Sequence, residues 1–290
     1  MDFNDSNFAE LDKELTPEER AEWQAIYASY RSESIIRGEA VGVDFHEFEF
    51  IPEGKKRPVK QNIKCVIVIS YRIKIIIPET EMFLNPLFNG KFVYHTLCGS
   101  QLDYIVTHID REGGFAVASR KKALEKLQWV TNRRSLENRI VNTNVISVGK
   151  SSCVINYRGY DVILHQRDIS YITINDLREI LHSGEQRMAK VKEFSPDDGI
   201  LKLSIKETMP HPFDGVEIRH PIGAMRIATV VGKYGGGVFC RLYDNSTDVL
   251  CSYNTMHYDG DFQIGDRVEI VIRKLNREKR LVYGKMIRKI

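Results

Sequence analysis

Long apolar runs are missing from this chain of 290 residues. The longest, such as Cys65–Ile69 and Ile75–Ile77, fall far short of the roughly 18 to 20 residues that a membrane-spanning helix needs. No charged-then-apolar leader opens the sequence, so the expectation is a cytoplasmic protein with no membrane partner. Cysteine is scarce as well. The five present, Cys65, Cys98, Cys153, Cys240 and Cys251, are odd in number and include no C-x-x-C pair, which excludes a disulfide framework and a zinc ribbon and predicts reduced, mostly buried thiols. Also absent are a P-loop, a G-x-S-x-G elbow, an H-E-x-x-H helix and any metal-spaced Cys/His group. Carboxylates are plentiful, but no pair is placed in one site by its spacing, so nuclease and glycosidase chemistry have no support. A binding protein is expected, not an enzyme, with neither cofactor nor metal.

What is present is an ordinary globular composition, 42% apolar and 28% charged, which excludes a disordered or collagenous chain. At about 150 residues per domain the length suggests two domains, or three if the units are small β-barrels. The formal charge of +3 hides an asymmetry: residues 1–30 hold eight acidic and two basic side chains, a balance of −6, leaving +9 on the rest. The acidic segment reads as one helix. Thr16 before Pro17 supplies an N-cap and a first-turn proline, and Glu18 and Glu19 suit the positive helix end. Trp23, Ile26, Tyr27 and Tyr30 follow at helical spacing, a stripe that packs on the next domain or docks into a partner.

From Ile35 the pattern changes to short strands rich in β-branched and aromatic residues, punctuated by Gly, Asp, Asn and Pro. The strands repeat. VISVGKSSCVINYRGYDVIL from Val145 parallels ATVVGKYGGGVFCRLYDNSTDVLC from Ala228, with Gly149-Lys150 and Gly232-Lys233 83 positions apart. Closing segments recur near Leu124, Glu207 and Lys289; Ser119 to Ser204 is 85 positions and Ser204 to Gly284 is 80. Units of about 80 residues with five such strands suit a Greek-key barrel, whose closure removes exposed sheet edges. The expected organisation is mainly β: an acidic helix at 1–30, then three tandem five-stranded OB-fold barrels at 31–128, 133–208 and 216–290, strung as beads. A short helix is expected over Ile174–Leu181, between strands three and four of the middle unit. MPHPFDG, Met209–Gly215, reads as a linker.

On these residues the chain resembles a tandem array of the S-one-type OB-fold RNA-binding domain, the domain of the ribosomal protein S-one family. YDVILHQRDIS at Tyr160–Ser170 is similar to the family's third-strand signature, with His165 at the histidine position. IGDRVEIVIRKLNREKRLVYGK in the third repeat and GSQLDYIVTHIDREGGFAVASRKKALEK in the first match its fourth strand, hairpin and closing strand, with Arg280 at the arginine position. Departures are just as specific. Strand two of the first repeat is aliphatic and Phe115 replaces the hairpin arginine; in the middle repeat Cys153 and Ile200 stand where phenylalanine and arginine are usual. The third repeat keeps Tyr234 near the first aromatic position, Phe239 at the second, Ser252 or Tyr253 near the histidine, and Arg280.

The resemblance implies single-stranded RNA, an mRNA in translation or another RNA in its metabolism, as the partner. The candidate contacts are Lys233, Tyr234, Phe239, Tyr253 and Arg280, joined by Lys150, Tyr157, Tyr160 and His165 of the middle repeat. A ribosome or RNA polymerase is a further expected partner, through the N-terminal helix and the first barrel, which in that role is a docking module. Stacking faces and phosphate-following cations are what such a ligand needs. Each candidate has a plain structural counterpart. Gly235–Gly237 either open the backbone to a base or form a bulge; Phe239 is outward only if Arg241 is; His165 is a base contact or a surface histidine. Residues 267–290, with nine basic and two acidic side chains, attract phosphates or simply solvate a β-face. A second basic cluster gathers Arg120, Lys121, Lys122, Lys126, Arg133, Arg134 and Arg139. Asp244–Asp248 resembles a calcium loop only superficially and reads as a hairpin. The alternative from another class is a phage or mobile-element structural protein that uses the same barrels as protein-binding blocks.

Overall fold

A computed structural model of the chain describes residues 15–50, 59–70, 72–88, 91–244, 247–253 and 258–290. Two compact units result: Met1–Ile163 with Arg178–Leu203, and Leu164–Leu177 with Ser204–Ile290. No helix among the described residues is long and apolar enough to cross a membrane.

The first unit opens with helix α1, Pro17–Ser32. Its start is fixed by a reciprocal cap in which Glu19 N–H donates to Thr16 Oγ1 at 3.3 Å and Thr16 N–H to the Glu19 carboxylate at 3.0 Å, satisfying two otherwise orphaned donors. Trp23, Ile26 and Tyr27 are buried in the core of the barrel that follows, and the Ser29 hydroxyl accepts from Val106 N–H at 3.1 Å. The aromatic stripe therefore packs at home. Only Tyr30 is left exposed.

That barrel contains β1 (Ile36–Phe50), β2 (Val59–Ser70) and β3 (Ile73–Pro78), a short helix α2 (Lys91–Thr96), then β4 (Gln101–Asp110) and β5 (Phe115–Ser119). It closes in the order β1-β2-β3-β5-β4, with β3 and β5 parallel: the OB topology. Over Cys65–Val68 and Ile75–Ile77, β2 and β3 are buried on both faces. Val66, Val68, Ile75 and Ile77 point into the barrel, whereas Cys65, Ile67 and Ile76, of opposite parity, form a second apolar cluster with Phe48, Ile63 and Phe115. The long β1–β2 ribbon, paired from Glu39↔Ile69 to Phe50↔Val59, supplies two of those covering residues.

Helix α3 (Arg120–Thr131) leads into β6 (Ile140–Val148), β7 (Ser152–Tyr157), β8 (Tyr160–His165), β9 (Gln186–Ser195) and β10 (Ile200–Ser204). These pair as a five-stranded sheet, β10-β9-β6-β7-β8, the OB order without the last closing pair. The first two repeats are not separate beads. Ile146 and Val154 belong to the same apolar cluster as the first barrel, and Arg120, 1% exposed, forms a two-pronged ion pair with Asp161 at 2.7 Å while donating to the Met82 carbonyl at 2.9 Å. A helix does not form over 174–181; a single 3-10 turn, Leu177–Glu179, takes its place.

The second unit contains the four-residue turn α4 (Gln166–Ile169), the turn α5 (Val216–Arg219) and a closed barrel of β11 (Met225–Tyr234), β12 (Gly237–Leu242), β13 (Asp248–Ser252), β14 (Arg267–Asn276) and β15 (Leu281–Lys289), ordered β11-β12-β13-β15-β14. Its core is its own, from Val216, Ala228 and Val230 round to Ile272, Val282 and Met286. One device recurs in all three repeats. The first strand bulges, after Ala40, Val145 and Val230, and that residue exchanges both backbone hydrogen bonds with a corner at Gly99-Ser100, Gly184-Glu185 and Gly265-Asp266. Each corner glycine has φ between 86° and 98°, a region other residues rarely enter. The bulge bends the first strand so that it can pair on both edges.

Candidate functional site

Along β12 the side chains alternate: Val238, Cys240 and Leu242 are buried, and Phe239 and Arg241 lie on the outer face. The register sets Phe239 opposite Leu250 and Arg241 opposite Asp248. Tyr234, at the end of β11, brings its ring centroid to 5.2 Å from that of Phe239 at an interplanar angle of 56°. Its hydroxyl donates to the Cys251 carbonyl at 3.5 Å, and burial pushes the phenol above its ordinary range, so the group is a neutral donor. The glycine trio divides between its two readings. A Cβ at Gly237 would lie 2.0 Å from the Cys251 carbonyl oxygen, so close strand packing excludes a side chain, whereas Gly235 meets nothing within 4 Å.

A slot of about 140 Å³ opens on this face, with Phe239, Leu250 and Arg280 on the barrel side and Tyr171 and His211 among its other lining residues. Arg280 sits at the tip of the β14–β15 hairpin with φ 51° and pairs with Asp214 at 3.0 Å while half its side chain stays exposed. Lys233 is exposed beside Tyr234. Tyr253 is less available: its ring lies 5.9 Å from buried Phe262 at 11°, and its hydroxyl donates to the Gly237 carbonyl at 3.4 Å. Around the barrel, Arg267 stands 5.8 Å from the exposed Tyr243 ring in an open cleft of about 460 Å³ that Arg241 also lines. The basic C-terminal stripe is partly neutralised, since Arg277, Arg280, Arg288 and Lys289 each hold a carboxylate, of Glu217, Asp214, Glu269 and Asp266.

The middle repeat corrects the expectation of stacking tyrosines. Tyr157 and Tyr160 are 8% and 3% exposed. Tyr160 donates its hydroxyl to Asn132 at 2.6 Å and meets Phe194 edge-on at 5.7 Å. Helix α3 holds the β7–β8 hairpin between them: Gln128 donates to the Gly159 carbonyl and Thr131 to that of Arg158, both at 3.0 Å. A Cβ on Gly159 would fall 2.6 Å from the Leu124 carbonyl oxygen. Lys150 and His165 are exposed, at the β6–β7 turn and the end of β8.

Asp244 is tied into the fold by His220 at 2.9 Å and by Thr247; Asn245 and Ser246 lie outside the described residues. Because Arg226 donates to His220 Nδ1 at 3.3 Å, Nε2 carries the proton given to Asp244. Among the described residues no three His, Cys, Asp or Glu side chains group as a metal site. Four cysteines are buried and Cys98 is exposed.

Sequence reasoning missed Tyr171, Thr173 and His211. Thr173 N–H donates to Asp248 at 2.8 Å, and the Thr173 carbonyl accepts from Arg241, so a segment from outside the barrel is anchored across β12 and β13. Nothing in repeat spacing marks these residues. The one available signal was a histidine and a phenylalanine within an otherwise linker-like MPHPFDG.

No family model matches the chain. It is 24% identical over 235 residues to the 4-hydroxy-3-methylbut-2-enyl diphosphate reductase of Clostridium tetani, covering 77% of this chain and 37% of that protein. To the small ribosomal subunit protein bS1 of Neisseria meningitidis it is 22% identical over 194 residues, 63% of this chain and 35% of that protein. The corresponding protein of Pseudomonas aeruginosa is 23% identical over the same coverage. The chain spans little more than a third of the length of these relatives.

Proposed function

We propose that this tandem array of S-one-like OB folds binds single-stranded RNA, and that the outer face of the third barrel is its contact surface. The observation that carries the reading is the outward Tyr234–Phe239 pair beside a slot edged by Arg280. Rings of this kind stack any base, and neighbouring cations follow the phosphates. Similarity to ribosomal proteins supports the ligand class. The reductase match does not argue for catalysis: stretches covering 77% and 63% of this chain must share at least 40% of it, and a segment common to a reductase and a ribosomal protein is a portable binding module. Lys233 and Arg280 supply phosphate contacts in this reading, with Lys150 and His165 as secondary ones. The strand is an mRNA, held in the cytoplasm during translation or RNA metabolism. The N-terminal helix and the first barrel, where Cys65, Ile67 and Ile76 are covered, are the docking part toward a ribosome or polymerase.

A filter-binding salt titration with poly-U and with duplex DNA tests this. The expected result is poly-U binding that weakens steeply with salt, while duplex DNA binds far less. Equal binding of both, or of neither, overturns it.

A further inference from the structure

We propose that Tyr171 and His211, which belong to segments before and after the middle repeat's last strands, form a second wall of the slot on the third barrel and that this wall stacks one unpaired base of the bound strand. The proposal rests on the RNA reading of that face and names a contact no barrel strand provides. All the residues concerned lie within one compact unit.

The two rings stand 4.3 Å apart, tilted by 51°, and both line the slot whose barrel side carries Phe239 and Arg280. At about 140 Å³ the slot is of the size that holds one small ring, which suits a single flat heterocycle and not a folded ligand. Cations flank the wall: Lys206 Nζ lies 5.3 Å from the Tyr171 ring centre, and Arg280 is close enough to His211 to help lower its pKa, after burial, the larger cause. The imidazole is thus neutral at pH 7. Phe213 N–H donates to His211 Nδ1 at 3.1 Å, so Nε2 keeps the proton and remains a donor. Tyr171 is held in register by Thr173, whose backbone is bonded on both sides by the Arg241–Asp248 pair. Arg241 and Asp248 are therefore positioning residues for the wall.

The test uses the full chain and an oligouridylate carrying 5-iodouridine. Ultraviolet cross-linking of the unmodified protein should place adducts on the peptides containing Tyr171 or His211 as well as on that containing Tyr234. Tyr171→Ala should weaken oligouridylate binding about tenfold, the loss of one base stack, and Tyr171→Phe should restore it, because the ring and not the hydroxyl does the stacking. Adducts confined to Tyr234 and Phe239, or wild-type affinity in a folded Tyr171→Ala protein, overturn the wall while leaving the RNA reading intact. An unmodified protein that binds no oligouridylate overturns both. Cross-linking needs no substitution, so the proposal stays falsifiable even if Tyr171→Ala lowers the melting temperature.

Discussion

The first and third barrels share one strand order, yet their second and third strands meet different surroundings. In the first, the outward Cys65, Ile67 and Ile76 are sealed by Phe48, Ile63 and Phe115, while Ile69 at the end of β2's apolar run stays exposed. In the third the outward positions carry Phe239, Arg241 and Leu250, and the surface stays open enough to hold a slot. Aliphatic side chains on an outer face gain free energy by being covered, at about 25 cal/mol per Å², and the long β1–β2 ribbon provides part of the cover. An aromatic–arginine row has less to gain from burial and more from stacking and charge. Side-chain type at a few outward positions thus decides whether one barrel becomes a packing module or a binding face.

The largest expected effect tests how firmly the first unit is built as a packing module. Asp161→Ala leaves Arg120 buried and uncompensated, a loss of about 3–5 kcal/mol. Asn156, which donates to Asp161 at 2.8 Å, loses its partner too. Urea unfolding should show the transition of the first unit at lower denaturant while poly-U binding persists. A shift under about 1 kcal/mol would mean the two repeats are held by apolar contact alone.

Next comes the contrast between tyrosines. Tyr234→Ala should cost about 1–3 kcal/mol of poly-U affinity. Tyr160→Phe should leave affinity unchanged and lower stability by about 0.5–1.5 kcal/mol, the value of its hydrogen bond to Asn132. If Tyr160→Phe instead weakens binding, the middle hairpin opens in solution and the comparison between covered and open faces fails. Smaller again is Arg280→Ala, which should flatten the plot of log affinity against log salt by about one unit. Since Arg280 rests on Asp214 in the free protein, Asp214→Ala should act in the opposite direction at low salt.

Much of the architecture was legible in sequence because it repeats. Thr16-Pro17 with Glu19 marked the helix start, the closing segments recur 85 and 80 positions apart at Ser119, Ser204 and Gly284, and the alternation along Val238–Leu242 tied Phe239 to Arg241. What escaped was long-range. Tyr157 and Tyr160 have the composition of a stacking surface, yet both are buried, Tyr160 by contacts with Phe194 and Asn132 from other elements. Tyr171 and His211 lie in irregular segments, where no period says which way a ring faces. A local pattern records what a residue is suited to; which surface stays uncovered depends on contacts between elements far apart in the chain.

The smallest effect concerns Cys65, whose position makes it a direct probe of the covered face. It lies outside the first barrel, where the matching surface of the third barrel is open, yet it is fully buried. Burial pushes its thiol up to about 11, against an ordinary value near 9, and Cys153 rises to about 12 for the same reason. Since thiolates are the reactive form, a thiol reagent at neutral pH should modify exposed Cys98 at once and Cys65 only on unfolding, as mass spectrometry of digested protein would show. The linkage follows in sign: the folded state holds these protons more tightly than the unfolded chain, so their contribution is intact below pH 9 and is lost as pH rises toward 11 and 12. Melting temperature should fall across that window, and by less in Cys65→Ala. Rapid labelling of Cys65 in the folded protein would show that the ribbon lifts, leaving the first barrel with an open face like that of the third.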